Sequence, residues 1–283
     1  MKLLRYGAKG AERPGLLDAS GKIRDLSGHV TDIAADALTP DSLQRLAALD
    51  PETLPLVDGV PQQDLRLGPC VGQVGKFLAI GLNYADHAAE AGMDLPSEPI
   101  IFTKWNSSIA GPDDDLTLPP GSVATDWEVE LGIVIGAGGR DIPESEALDR
   151  VAGYCIVNDI SERDWQLRRG GTWDKGKGHD GFGPIGPWLV TPDEIGDLAA
   201  MRLWLDLDGA RQQDGTTATM VFGPAQLVAY CSRFTTLAPG DVITTGTPPG
   251  VGMGQKPPKY LRPGQTMRLG IDGLGVQTQH VIA

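Results

Sequence analysis

The sequence predicts a mixed α+β fold dominated by strands, with a small N-terminal α+β domain over residues 1–72 ahead of a larger domain over 73–283. Three observations carry this expectation. Short apolar segments recur between turn-forming clusters, and 38 glycines and 22 prolines cut the chain into many short elements. Segments with helical periodicity are few, so an alternating strand–helix series is not expected. A chain of 283 residues also buries a sizeable core without covalent staples.

The elements follow in order. Residues 2–6 read as a strand, and 15–25 as a hairpin turning at Ala19-Ser20-Gly21. A helix is expected from Thr39-Pro40-Asp41, with proline in the first turn and Leu43, Leu46 and Leu49 at helical spacing. Residues 51–74, which carry Pro55, Pro61 and Pro69, read as a connector. Beyond Phe77, strands are expected at 77–82, 100–103, 128–135, 153–157, 188–190, 202–207, 241–245 and 267–271. Helices are expected there only after Asn83, after Ser161 and over 224–234.

Composition excludes several function classes. A formal net charge of −13 disfavours nucleic acid as a partner, because phosphate binding needs a positive field. Cys70, Cys155 and Cys231 form neither a zinc spacing nor a disulfide framework, which suits a reducing compartment. The first seven residues lack the apolar stretch of a signal peptide, and no run approaches the ~20 apolar residues of a membrane span. A cytoplasmic protein without membrane partners is expected. The glycine-rich stretch 171–178 lacks the closing Ser or Thr of a phosphate loop, and 250–254 misplaces the third glycine of a dinucleotide fingerprint.

The residues that carry chemistry begin with Glu128-Val129-Glu130. Alternate side chains of a strand share a face, so Val129, Leu131, Ile133 and Ile135 form an apolar face. Glu128 and Glu130 sit together on the other, with Cα atoms roughly 6.5–7 Å apart at strand rise. Two such carboxylates repel unless something positive lies between them, and arginine, lysine or a metal ion can supply it. Asp159, closing the apolar run 153–158, adds a third carboxylate. An all-oxygen donor set favours magnesium, manganese or calcium over zinc, with a structural ion-pair network as the alternative.

His87 and Glu90 lie three apart and share a helical face. A carboxylate against imidazole raises its basicity, as a general base requires, although an ordinary helix-surface pair has the same spacing. The segment 241–250 runs into a turn that can present the Thr247 hydroxyl and nearby N–H groups to an anion, or serve simply as a tight turn. Lys104, Arg163, Gln166 and Lys177 are further candidates beside these clusters. Arg168, Arg169 and Trp173 lie in a glycine-bounded stretch expected to contact the distal part of a substrate.

Taken in order, the pieces resemble the fumarylacetoacetate hydrolase family. They are Gly-Leu-Asn-Tyr-x-x-His-x-x-Glu at 81–90, Phe-x-Lys at 102–104, Trp-Glu-x-Glu at 127–130, Asn-Asp at 158–159, Arg-Asp-x-Gln at 163–166, Lys177 and Thr-Gly-Thr-Pro-x-Gly at 245–250. The resemblance runs from about Phe77 to the C-terminus. It implies a β-roll catalytic core with Mg2+, or Mn2+, held by Glu128, Glu130 and Asp159. His87 and Glu90 would form a water-activating dyad on a lid, and Lys177 would lie near the substrate oxygens. Arg163, Gln166, Thr247 and Lys104 would contact substrate. The implied activity is hydrolysis of a carbon–carbon bond in an acylpyruvate-type 2,4-diketo acid. Within the family the chain resembles the bacterial sugar-acid and aromatic-catabolism branch, and the sugar-acid likeness implies pyruvate and a second acid such as lactate as products. A homodimer or dimer of dimers is implied as well. Oxaloacetate decarboxylation or tautomerisation and ureidoglycolate lyase chemistry are the alternatives on the same metal site.

Overall fold

The computed structural model describes residues 1–58 and 64–283, so Pro61 of the expected connector lies outside the described residues. Its main sheet runs in the order Ile23–Asp25, Arg13–Leu17, Lys2–Tyr6, Gly183–Val190, Val151–Asn158, Val129–Ile135, Val242–Thr244, Phe77–Gly81 and Ile100–Lys104. Val242–Thr244 and Phe77–Gly81 pair in parallel, while the other pairs along this path are antiparallel. A second sheet orders Ala210–Thr216, Arg202–Leu207, Thr266–Ile271, Gly275–Ile282 and Leu116–Thr117.

The strand Val129–Ile135 organises both cores. Val129, Leu131, Ile133 and Ile135 are fully buried in one cluster with Leu203, Leu205, Leu269 and Ile271 of the second sheet, and with Leu227 and Val228 of the Pro224–Phe234 helix. Val134 points the other way, into a cluster with Leu3, Leu16, Leu38, Val157 and Leu189. Period-two alternation thus seals the strand on both sides and leaves the polar side chains to its N-terminal end.

The expected N-terminal elements form. Lys2–Tyr6 pairs with Arg13–Leu17, which pairs with Ile23–Asp25, and Thr39 caps the helix Pro40–Ala47 by accepting the Ser42 N–H. The sheet is not interrupted at residue 72, because Lys2 and Leu3 pair with Val190 and Leu189. Besides two-residue strands such as Leu116–Thr117, two long strands were not expected, Ala210–Thr216 and Gly275–Ile282. Their inward positions include Gln213, Gln277 and Gln279, all fully buried and hydrogen-bonded, so apolar alternation is broken where it would have announced a strand. All three cysteines are buried and unpaired. Among the described residues no helix is long and apolar enough to cross a membrane.

Candidate active site

Sheet register assembles the carboxylates. Asn158 pairs with Val129, and the next residue, Asp159, donates its N–H to the Glu128 carbonyl at 2.9 Å. Glu128, Glu130 and Asp159 are 5%, 1% and 0% exposed, and one oxygen from each lies within 4.8 Å of the others. The strand expected from Glu128 starts at Val129, so Glu128 sits on the segment leading into it.

Three cations converge on this group. Lys177 Nζ donates to Glu128 Oε2 at 2.5 Å and to Asp159 Oδ2 at 2.7 Å. Arg163 Nη2 donates to Glu128 Oε1 at 2.6 Å, its Nε to Asp126 Oδ2 at 2.8 Å, and its Nη1 to Gln166 Oε1 at 3.1 Å. Lys104 Nζ donates to Asp159 Oδ1 at 2.6 Å and to the Lys177 carbonyl. Burial raises the Glu128 carboxyl, but Lys177 and Arg163 override it and hold the group at about 2. Burial depresses the Lys104 ammonium more than Asp159 restores it. For Lys177 the balance is opposite, and Asp159 with Glu128 raises it despite burial.

Glu130 differs. Its Oε2 accepts the Gly246 N–H at 3.0 Å, and among the described residues no cation lies within ion-pair distance of it. Burial, Asp159 and Glu128 push its carboxyl well above the usual carboxylate range. The four carboxyls of Asp126, Glu128, Glu130 and Asp159 outnumber the three cations Lys104, Lys177 and Arg163 by one, and Glu130 is the one that burial and its acidic neighbours disfavour as an anion. A divalent cation fits this donor set: the ligands are carboxylate oxygens, each carboxylate offers about four lone-pair sites, and one of the three, Glu130, is buried without a cation of its own among the described residues.

His87 and Glu90 meet as their spacing predicts. His87 Nδ1 lies 3.0 Å from Glu90 Oε2, and Glu90 Oε1 accepts the Gly250 N–H at 2.9 Å. Their helix, Ala85–Ala91, follows the Phe77–Gly81 strand and ends at Gly92 in the left-handed conformation. Buried Asn83 ties its entry to the turn, donating to the Thr245 carbonyl at 2.8 Å and the Phe222 carbonyl at 3.0 Å. The same helix is held by Asp86, whose carboxylate accepts Thr219 Oγ1 at 3.2 Å.

His87, Glu128, Glu130, Arg163, Gln166, Lys177 and Thr247 line one cavity of about 170 Å³. Three expectations need correction. Lys104, expected to contact substrate, does not line the cavity; it is buried behind Asp159, where its ammonium is spent on that carboxylate. The Thr245–Gly250 turn is not a free anion cradle. Its Gly246 and Gly250 N–H groups serve Glu130 and Glu90, and Thr247 Oγ1 donates to the Val129 carbonyl at 3.0 Å. Thr247 lines the cavity as an acceptor already shared with Gln213 Nε2 at 2.8 Å. Arg168 and Arg169 do not line the cavity, and Arg169 pairs with Asp164 at the surface, whereas Trp173 of the same stretch does line it.

Asp126 is a site residue the sequence reading passed over. It holds Arg163 and also accepts the N–H groups of Gly252 at 2.7 Å and Met253 at 3.0 Å, which seats Met253 on the cavity wall. Its signal was available, since 126, 128 and 130 share one strand parity.

Comparison with known proteins shows the family. The family profile "Fumarylacetoacetate (FAA) hydrolase C-terminal" matches residues 76–282. A Burkholderia ambifaria protein that carries only a general hydrolase name is 66% identical over 280 residues, covering 99% of this chain and 98% of that one. The crystal structure of 2-hydroxyhepta-2,4-diene-1,7-dioate isomerase from Mycobacterium marinum is 31% identical, with a TM-score of 0.74 over 100% of this chain and 98% of that one. Maleylpyruvate hydrolase from Sphingobium sp. SYK-6, in complex with manganese(II) and pyruvate, is 25% identical with a TM-score of 0.82 over 100% and 99%. The chain belongs to the fumarylacetoacetate hydrolase family.

Proposed function

We propose that this protein is a metal-dependent hydrolase that cleaves the C3–C4 bond of a 2,4-diketo acid of the acylpyruvate type, releasing pyruvate and a second carboxylic acid. The observation that carries the reading is the convergence of His87, backed by Glu90, with Glu128, Glu130 and Lys177 on one cavity. A fold neighbour that holds manganese(II) and pyruvate supports both the cation and the product. Glu128, Glu130 and Asp159 are the proposed ligands, for Mg2+ or alternatively Mn2+. When bound, the cation supplies Lewis acidity and a template for the adjacent carboxylate and keto oxygens.

The chain's own residues then have distinct tasks. Glu90, fixed by the Gly250 N–H, accepts from His87 Nδ1, which leaves Nε2 as the basic nitrogen. His87 takes a proton from the water that adds to the C4 carbonyl. Lys177 spends two N–H donors on Glu128 and Asp159, and its third is available to the developing oxyanion. Gln166 gives its carbonyl to Arg163, so its amide N–H groups are the donors it offers to a substrate carboxylate. As the C3–C4 bond breaks, the acyl fragment leaves as a carboxylic acid carrying the water oxygen. C3 takes a proton to complete pyruvate. Sugar acids of this class, including 2,4-diketo-3-deoxy-L-rhamnonate with lactate as second product, are candidates on sequence likeness. Assembly as a homodimer or dimer of dimers rests on the same likeness.

The test is His87→Ala, assayed by coupled pyruvate release. Loss of a general base is worth about 10²–10⁴ in kcat, with metal affinity unchanged. Near-full activity in this variant would remove His87 from the chemistry.

A further inference from the structure

The cavity is lined by two unlike sets of side chains. One is charged or polar: His87, Glu128, Glu130, Arg163, Gln166, Lys177 and Thr247. The other is a largely hydrocarbon wall: Leu82, Met93, Phe102, Leu167, Trp173 and Met253. On that wall the Trp173 indole N–H is the one good side-chain donor, and the only side-chain acceptors are the weak thioether sulfurs of Met93 and Met253. The wall is built and fixed. A Cβ on Gly81 would lie 2.5 Å from Trp173 Cζ3, so glycine is what lets the indole lie against the strand. Phe102 meets Trp173 edge-on at 5.2 Å between centroids, and Leu82 holds a left-handed φ of 51° to face the cavity. At the mouth, Met93 and Leu167 leave 56% and 51% of their surface exposed, apolar area that a ligand would cover. The volume, about 170 Å³, is below the ~300–1,000 Å³ of drug-sized sites.

We propose that the distal group of the substrate, the part beyond C4, is a short hydrocarbon chain or ring seated against Leu82, Phe102, Trp173 and Met253 and covered by Met93 and Leu167. Hydroxylated distal groups are discriminated against, because a hydroxyl placed there leaves water and its own proton meets no better side-chain acceptor on that wall than a thioether sulfur. This inference rests on the acylpyruvate reading and narrows it, placing a sugar-acid tail below an alkyl tail of the same shape. Arg168 and Arg169, which do not line the cavity, take no part in the discrimination.

The experiment uses 2,4-dioxo acids whose distal groups are methyl, ethyl, propyl, isopropyl and 1-hydroxyethyl, the last two being close in shape. Pyruvate release and calorimetric binding are measured in parallel with Mg2+ or Mn2+ present. The expected result is about a fourfold gain in kcat/KM per methylene (~0.8 kcal/mol) and about a 10–100-fold preference for isopropyl over 1-hydroxyethyl. Met93→Gln and Leu167→Asn, both at exposed positions where folding is little at risk, should shrink that preference. A preference at or below one overturns the inference while leaving the hydrolase reading intact. If no compound releases pyruvate yet affinity still ranks isopropyl above 1-hydroxyethyl, the hydrolase reading falls and the pocket assignment stands. Equal affinity across the series, or none, overturns the assignment.

Discussion

Replacing Glu130 with glutamine separates a carboxylate that holds a metal from one that holds the fold. Glu130 is 1% exposed and has no ion-pair partner among the described residues, whereas Glu128 and Asp159 each have two. Without a metal, burial and the neighbouring Asp159 and Glu128 disfavour the Glu130 anion. Glu130→Gln keeps an acceptor for the Gly246 N–H and breaks no ion pair, so the metal-free variant should melt at or above the wild-type temperature. The wild type, at an ion concentration 100 times Kd, should gain about 2.7 kcal/mol. At about 2 °C per kcal/mol for a chain of this size, its Tm should rise by about 5 °C. The assay is scanning calorimetry in chelator and then across a Mg2+ or Mn2+ titration, where the variant should shift by less than about 1 °C. A metal-free variant that melts several degrees below wild type, and still responds fully to the ion, would show that Glu130 is a structural carboxylate.

Two further predictions follow from the ion pairs. Lys104→Met leaves Asp159 with Lys177 as its one cation and should cost about 3–5 kcal/mol in chemical denaturation; a loss under about 1 kcal/mol would show that Lys177 suffices alone. Glu128 is held at about 2 against an ordinary 4.5, a depressed folded value, so its pairs with Lys177 and Arg163 stabilise the fold fully above pH 4.5 and lose that contribution as pH falls toward 2. Glu128→Gln should flatten this part of the stability–pH curve, and an unchanged slope would contradict the assignment.

Strand parity made the carboxylate cluster legible. Val129, Leu131, Ile133 and Ile135 pack on one side as alternation requires, and the register Asn158 to Val129 then brings Asp159 to Glu128. Helical spacing likewise placed His87 on Glu90. Spacing alone could not tell a metal from lysine or arginine as the balancing charge. The structure brings in Lys104, Lys177 and Arg163 from three separate segments and still leaves Glu130 uncompensated. The fate of the Thr247 turn was hidden for a similar reason. Its N–H groups find Glu130 and Glu90, which are 116 and 160 residues away along the chain. Gln213 was invisible because its value lies in three hydrogen bonds, to Thr247, the Pro248 carbonyl and the Val129 N–H, and not in apolar patterning.

The most direct test of the central claim is pyruvate release from an alkyl 2,4-dioxo acid by protein stripped with chelator and then supplied with Mg2+ or Mn2+. Metal-dependent hydrolysis predicts no release from the stripped protein and recovery on adding the ion, with one equivalent each of pyruvate and the distal carboxylic acid. Release that persists in chelator, or loss of the dioxo acid without the second acid, would contradict it.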